Sequence, residues 1–293
     1  TGAGGAVAGA ALAEAGIDTV IIEEGDYFKP GGYGSVYDGF AGMYQGGGST
    51  VTIGRPPISI TLGRCVGGTT AINSATCFAP PEKKVRAWGG PSPRELEPFT
   101  SEVLERIQAR RSDPEALGGN WRVLKRGCDK LGVGIRPLVH NINPDDCRQH
   151  GRCQFGCPEG AKKSTEISFI PAALEAGARL LAGHRVHEVI VEKRRAAGVR
   201  GTALDTGEEF EVRADAAVLC LGALTGPAFL LSQKLCNGSG QLGRGLQIHP
   251  ACRVVAEFEE VVDGHIGVPQ GAFIDAWHDR GIMLEGIFIH PGF

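Results

Sequence analysis

Three groups of residues in this sequence have the types and spacing to do chemistry. The first is the opening run Thr1-Gly2-Ala3-Gly4-Gly5-Ala6, a glycine-rich turn that leads straight into an alanine-rich stretch. Gly2 and Gly5 stand where the second and third glycines of a G-x-G-x-x-G turn would stand, with Gly4 between them and the first glycine expected before Thr1. The second glycine of such a turn lets backbone approach a pyrophosphate, and the third lets helix and strand touch. An acidic residue about 20 positions on should hold the ribose hydroxyls. Glu23 stands there, closing the β-branched run of residues 19–23, with Glu24 beside it. No arginine is near in the sequence, which argues against a ligand carrying a 2′-phosphate. For the turn taken alone, a glycine-rich helix start with no ligand is the competing explanation.

The second group is Cys147, Cys153 and Cys157, spaced C-x5-C-x3-C with His150 inside. Thiolates this close could hold zinc or an iron–sulfur cluster. The paired C-x2-C spacing of zinc sites is absent, so plain thiols are the favoured expectation and no metal is assigned. The third group is the histidines. His249 precedes Pro250 and is the tempting base, whereas His184, His187, His265 and His290 read as strand or surface residues. Asp145-Asp146 reads as a solvated turn, and Lys193-Arg194-Arg195 as a hairpin tip.

The elements that must position these groups are legible in outline. Residues 5–15 read as a small-faced helix and residues 19–23 as a buried parallel strand, together the back half of a βαβ unit. A turn of this kind normally follows a strand, so the first strand is expected to be missing from the chain. Residues 25–50 read as loop, and a second glycine turn follows at Gly63-Arg64-Cys65-Val66-Gly67-Gly68-Thr69-Thr70. Helices are expected over residues 92–111, opening on Ser92 as N-cap with Pro93 behind it, and over 120–131 and 168–176. Strands are expected over 186–192, 209–212, 216–221 (buried), 251–258 and 282–290, and a helix over 228–232.

Composition excludes several classes. The 45 glycines are not periodic, which rules out collagen. A net charge of −3 offers no nucleic-acid footprint. No run approaches the roughly 20 apolar residues of a membrane span. Nine cysteines, an odd set with six scattered singly, fit a reducing compartment. The cytoplasm is therefore the expected location, with membrane association and export left open by the missing start.

Four blocks in order then resemble the glucose-methanol-choline (GMC) family of FAD-dependent oxidoreductases. They are residues 1–25, the turn running from Gly63 to Asn73, Gly222-Ala223-Leu224-Thr225-Gly226-Pro227-Ala228-Phe229-Leu230-Leu231, and Leu242-Gly243-Arg244-Gly245-Leu246-Gln247-Ile248-His249-Pro250. In the last, Gly245 stands where asparagine is usual. The run Cys157-Pro158-Glu159-Gly160-Ala161-Lys162-Lys163-Ser164-Thr165 is similar to the bacterial branch related to long-chain alcohol oxidases.

The resemblance implies an α/β fold: a Rossmann-like three-layer FAD-binding domain with the start of an antiparallel substrate sheet. It divides the chain into a first FAD-binding part (1–85), a helical and loop excursion with the cysteine loop (86–160), a second FAD-binding part (161–250) and the start of a truncated substrate domain (251–293). It implies that Gly67, Gly68 and Thr69 pass close to the flavin diphosphate and ring. Asn73 would lie along the isoalloxazine edge, the Val186 backbone against adenine, and Gly222 and Ala223 over the cofactor. His249 would sit at the domain border, away from the base position. The catalytic histidine pair is expected beyond residue 293, so no catalytic residue is assigned. The implied activity is oxidation of a hydrophobic alcohol, long-chain or sterol-like, by hydride transfer to flavin, with oxygen or a redox partner as acceptor. The rivals are an NAD-dependent dehydrogenase, a flavin dehydrogenase wired through a cysteine-bound cluster, and a fragment that is inactive alone.

Overall fold

The computed structural model of the chain describes residues 1–249 and 251–288. Small residues set its first packing. In α1 (Ala3–Glu14), Ala6, Gly9, Ala10 and Ala13 form the buried stripe. A Cβ on Gly9 would lie 2.7 Å from Ile21 Cδ1, so this helix can approach β1 (Val20–Ile22) only with a bare position there. The elements that follow are α2 (Val36–Met43), α3 (Thr69–Ile72), α4 (Glu82–Ala87), α5 (Pro93–Arg106), β2 (Arg110–Arg111), α6 (Gly118–Leu131), β3 (Arg136–Pro137), β4 (Val139–His140) and α7 (Thr165–Glu175). Then come β5 (Arg179–Leu181), β6 (His184–Glu192), β7 (Arg195–Ala203), β8 (Glu209–Arg213), α8 (Gly222–Ser232), β9 (Ala272–Ile274) and β10 (Leu284–Gly286). No described helix is long and apolar enough to cross a membrane.

The chain divides into two units. One comprises residues 1–27, 42–69 and 169–257. In it β1 pairs in parallel with β5, Ile21 opposite Leu180, and β6, β7 and β8 form an antiparallel meander. The expected hairpin tip is present: Lys193 and Arg194 both take positive φ (48° and 66°) in the tight turn between β6 and β7. β7 itself is absent from the sequence reading, because Arg, Ala and Gly are poor strand formers. It forms as the central strand, paired on both sides, so tertiary context overrides propensity.

The other unit comprises residues 28–41, 70–168 and 258–293. Leu117, Trp121, Ile142, Val268 and Ala272 lie in its core cluster. The α5 N-terminus forms as read: Ser92 and Glu95 make a reciprocal capping box with Pro93 behind it. β9 lies between β10 and β3, antiparallel to both.

Five expectations need correction. The helix read over 92–111 ends at Arg106, and Arg110–Arg111 form β2 instead. Residues 216–221 are not a strand, and Val218 is 63% exposed. Among the described residues they make no ladder bridge, and a run without ladder hydrogen bonds is no sheet strand. Residues 251–258 likewise form no strand in their described part. Of the described part of the run 282–290 only β10 is ladder-paired, and His290 lies outside the described residues. Residues 25–50, read as loop, contain α2, whose glycines mask its helical pattern.

Candidate nucleotide and cofactor site

The two glycine turns of the expected site lie in the first unit. Gly2 is the N-cap of α1 and offers no side-chain cap, and no acidic residue occupies the first turn. The leading N–H groups of this helix are therefore left to an anion. The second turn comes directly against the first. A Cβ on Gly68 would lie 2.8 Å from Gly2 Cα, and one on Gly63 would lie 2.4 Å from the Gly68 carbonyl. Gly67 and Gly68 take φ of 101° and 51°, in the left-handed region that favours glycine. The result is a cradle of bare backbone in which a side chain at Gly63 or Gly68 has no room, and this close approach is the feature a dinucleotide pyrophosphate requires.

Glu23 ties the cradle to the sheet. Its carboxylate accepts from the Thr1 backbone nitrogen (2.9 Å), the Thr1 hydroxyl (2.6 Å) and the Gly25 N–H (3.0 Å). The same hydroxyl accepts from the Gly67 N–H at 3.0 Å, so one threonine links both turns to the strand-ending acid. Thr1 was not singled out in the sequence; the signal was its place between the glycines of the motif. Val186 follows closely on this strand end, since His184 N–H donates to the Glu23 carbonyl at 2.9 Å. The absence of arginine near Glu23 holds along the chain but not in space. Arg64 and Arg185 both form ion pairs with Glu24, at 2.8 and 2.9 Å, because the second glycine turn and β6 end beside β1. Glu24 takes both guanidinium charges.

The remaining expected residues divide between the units. Cys220, at the end of the unpaired run, lies against α1: a Cβ on Gly5 would be 3.1 Å from Cys220 Cβ, while one on Gly4 has only its sulfur, at 3.9 Å. Gly222 and Ala223 follow it as the exposed first turn of α8. Thr69 opens α3, with its hydroxyl accepting from Gly63 N–H at 3.2 Å. Asn73 belongs to the second unit, where it is exposed and its Oδ1 accepts from the Ala75 N–H at 3.1 Å. His249 is exposed, and Pro250 lies outside the described residues.

The cysteine loop is also in the second unit. Cys147, Cys153 and Cys157, with His150 and Glu159, line a cavity of about 20 Å³, room for roughly one water. Burial pushes the Cys153 thiol up to about 12 and also raises Cys147, so both rest as thiols in the ligand-free loop. Among the described residues no three His, Cys, Asp or Glu are disposed to hold a metal ion.

Among the buried polar residues missed by the sequence reading are His140 and Lys162. His140 is fully buried, with Nδ1 2.7 Å from the Ser112 hydroxyl and Nε2 2.8 Å from the Gln270 carbonyl. Lys162 is 1% exposed and donates to three backbone carbonyls. A lone His or Lys in a sequence gives no sign of burial.

The family model described as GMC oxidoreductase matches residues 40–251. The chain belongs to the GMC oxidoreductase family. It is similar to an uncharacterised GMC-type oxidoreductase of Mycobacterium tuberculosis, 35% identical over 301 residues that cover 100% of this chain and 47% of that protein. It is also similar to a long-chain-alcohol oxidase of Arabidopsis thaliana, 29% identical across 89% of this chain and 36% of the oxidase. A solved FAD-dependent oxidoreductase from Chaetomium thermophilum shares the fold at a TM-score of 0.56 and 14% identity, covering 77% of this chain and 46% of its own. The chain spans about half the length, or less, of these relatives. The α/β fold of this GMC oxidoreductase chain is that of an FAD-binding domain, and its cofactor is FAD.

Proposed function

We propose that the intact protein is an oxidoreductase that oxidises the CH–OH group of a small-molecule alcohol, with a hydrophobic long-chain or sterol-like substrate. One observation carries the cofactor part of this reading: two turns of bare backbone meet in front of an uncapped helix start, with a strand-ending glutamate tied to both. Bound FAD supplies the hydride acceptor. Gly2, Gly67 and Gly68 would hold the diphosphate, Glu23 the ribose hydroxyls, and the backbone at Val186 the adenine. Asn73 carries the flavin-edge role that the family resemblance gives it. The long-chain direction is supported by the similarity to plant long-chain-alcohol oxidases.

The test uses the full-length protein. A two-banded flavin spectrum that bleaches on anaerobic addition of a long-chain alcohol is expected. A colourless protein that binds NAD overturns the reading. In the same protein, Glu23→Ala should weaken FAD binding about tenfold, since losing a charge-assisted hydrogen bond to a ligand costs about that factor. Unchanged affinity would remove Glu23 from the site.

A further inference from the structure

Lys162 is the largest fully buried side chain of the described residues, and its three N–H donors all go to backbone oxygens. Nζ donates to the Ala71 carbonyl at 3.0 Å, the Asn73 carbonyl at 2.7 Å and the Cys153 carbonyl at 2.8 Å. Ala71 lies in the last turn of α3, whose end carbonyls have no partner within the helix. A lysine stem of this length could be replaced by methionine if filling space were its purpose. A buried ammonium is costly unless its hydrogen bonds are placed well.

The segment so held is strained. Ala75 is fully buried and takes φ of 65°, a conformation that alanine avoids. It is held by the Asn73 side chain on its N–H and by the Asn141 N–H on its carbonyl, at 3.1 Å each. Asn141 in turn belongs to the segment beside Lys162: Ile142 bridges Lys162, and Lys163 N–H donates to the Asn141 carbonyl at 2.7 Å. Strain persists where the surroundings over-determine it, and such places cluster at ligand sites.

We propose that Lys162 is a positioning residue: its ammonium clamps the Ala71, Asn73 and Cys153 carbonyls and so fixes the Asn73 turn, to which the FAD reading gives the flavin-edge role, before FAD arrives. Asn73 itself stays exposed while its backbone is fixed from behind. The clamp also explains why the cysteine loop is built as it is. That loop contributes the Cys153 carbonyl and, through Gln154, a hydrogen bond to the Ser74 hydroxyl at 2.7 Å. Its role is to brace the turn. The flavin part of this proposal rests on the FAD reading above; the clamp itself does not.

The experiment uses the full-length protein with Lys162→Met and has two readouts. In the apo protein, hydrogen exchange should show the Ala75 amide protected in the wild type and about tenfold faster in the variant, with exchange at residues 20–22 unchanged. In titrations followed by flavin fluorescence, the variant should bind FAD about tenfold more weakly. Adding Ala75→Gly, which accepts the left-handed conformation without strain, should recover about threefold of that loss. A merely structural lysine predicts no such rescue. Lys162→Met that keeps both the Ala75 protection and FAD affinity overturns the proposal, as does the absence of rescue by Ala75→Gly. If Lys162→Met does not fold, fast exchange of Ala75 in the wild-type apo protein overturns it without any variant. If the wild type binds no FAD, the FAD reading fails, and the exchange result still decides the clamp.

Discussion

At residues 1–6 and 63–68 the chain strips away side chains so that two backbones can meet; at residues 71–75 it buries a charged side chain so that one backbone cannot move. The first device depends on what is absent, and its tolerance is set by sterics. The second depends on what is present, and its tolerance is set by hydrogen bonding and charge. Substitutions should therefore fail in different ways in the two regions. Adding one methyl group at Gly63 or Gly68, where the turns touch, should be ruinous in the first, and shifting one proton should matter in the second.

The largest effect is expected at Gly63. Its Cβ would lie 2.4 Å from the Gly68 carbonyl carbon and oxygen, which are backbone atoms and cannot swing aside. Gly63→Ala should destabilise the protein by roughly 3 kcal/mol, the upper end for overpacking, and lower Tm by roughly 6–12 °C. Gly4→Ala is the control, because its nearest neighbour at 3.9 Å is an ordinary contact, and it should unfold within about 1 kcal/mol of wild type. Thermal unfolding of the full-length protein followed by circular dichroism checks both. Equal losses at the two positions would mean that the touching of the turns does not set the tolerance.

That contrast also explains what the sequence could show. Glycines at 2, 5, 67 and 68 and an acid at 23 are local signals, because each marks a backbone requirement at its own position. The α5 N-terminus was legible for the same reason: Ser92, Pro93 and Glu95 are neighbours. Lys162 and His140 were opaque because burial is a property of the partners, which come from residues 71–73 and 153, and from 112 and 270. The buried strand expected at 216–221 failed on a related point. Its apolar pattern specifies a face, but a ladder needs a neighbour. Arg64 and Arg185 beside Glu24 show the same limit, since sequence distance says nothing of which loops meet.

The second region should respond to pH. Burial lowers the pKa of His140 below its ordinary value, against a smaller raising effect of the Gln270 carbonyl. The unfolded chain then takes up a proton as pH falls through about 6.5 while the native chain does not. Stability is thus full above that pH and is lost below it, by up to about 1.4 kcal/mol per pH unit, until the folded pKa is reached. Glu166 acts oppositely. Burial raises its pKa, more than the Ser164 hydrogen bond and the Lys162 charge lower it, so its contribution is present below about 4.5 and is lost as pH rises toward the folded value. Urea unfolding at pH 5.5 and 7.5 separates the two, with His140→Gln showing a smaller loss at pH 5.5 than wild type. The same loss in both proteins would show that His140 does not carry the slope.

The smallest effect sharpens the comparison at two helix starts. α1 has Gly2 at its N-cap and no side-chain cap, whereas α5 has Ser92, whose hydroxyl accepts from Glu95 N–H at 3.3 Å while Glu95 answers the Ser92 N–H at 2.8 Å. One end is open for a ligand and the other is closed on itself. α5 has no fully buried residue, so its first turn depends on that cap more than on packing. Ser92→Ala should cost about 1 kcal/mol and speed exchange of the Glu95 amide roughly fivefold, with FAD affinity unchanged. If the variant instead releases FAD, the α5 end is coupled to the cofactor, and the division between a helix start that binds and one that only holds itself together fails.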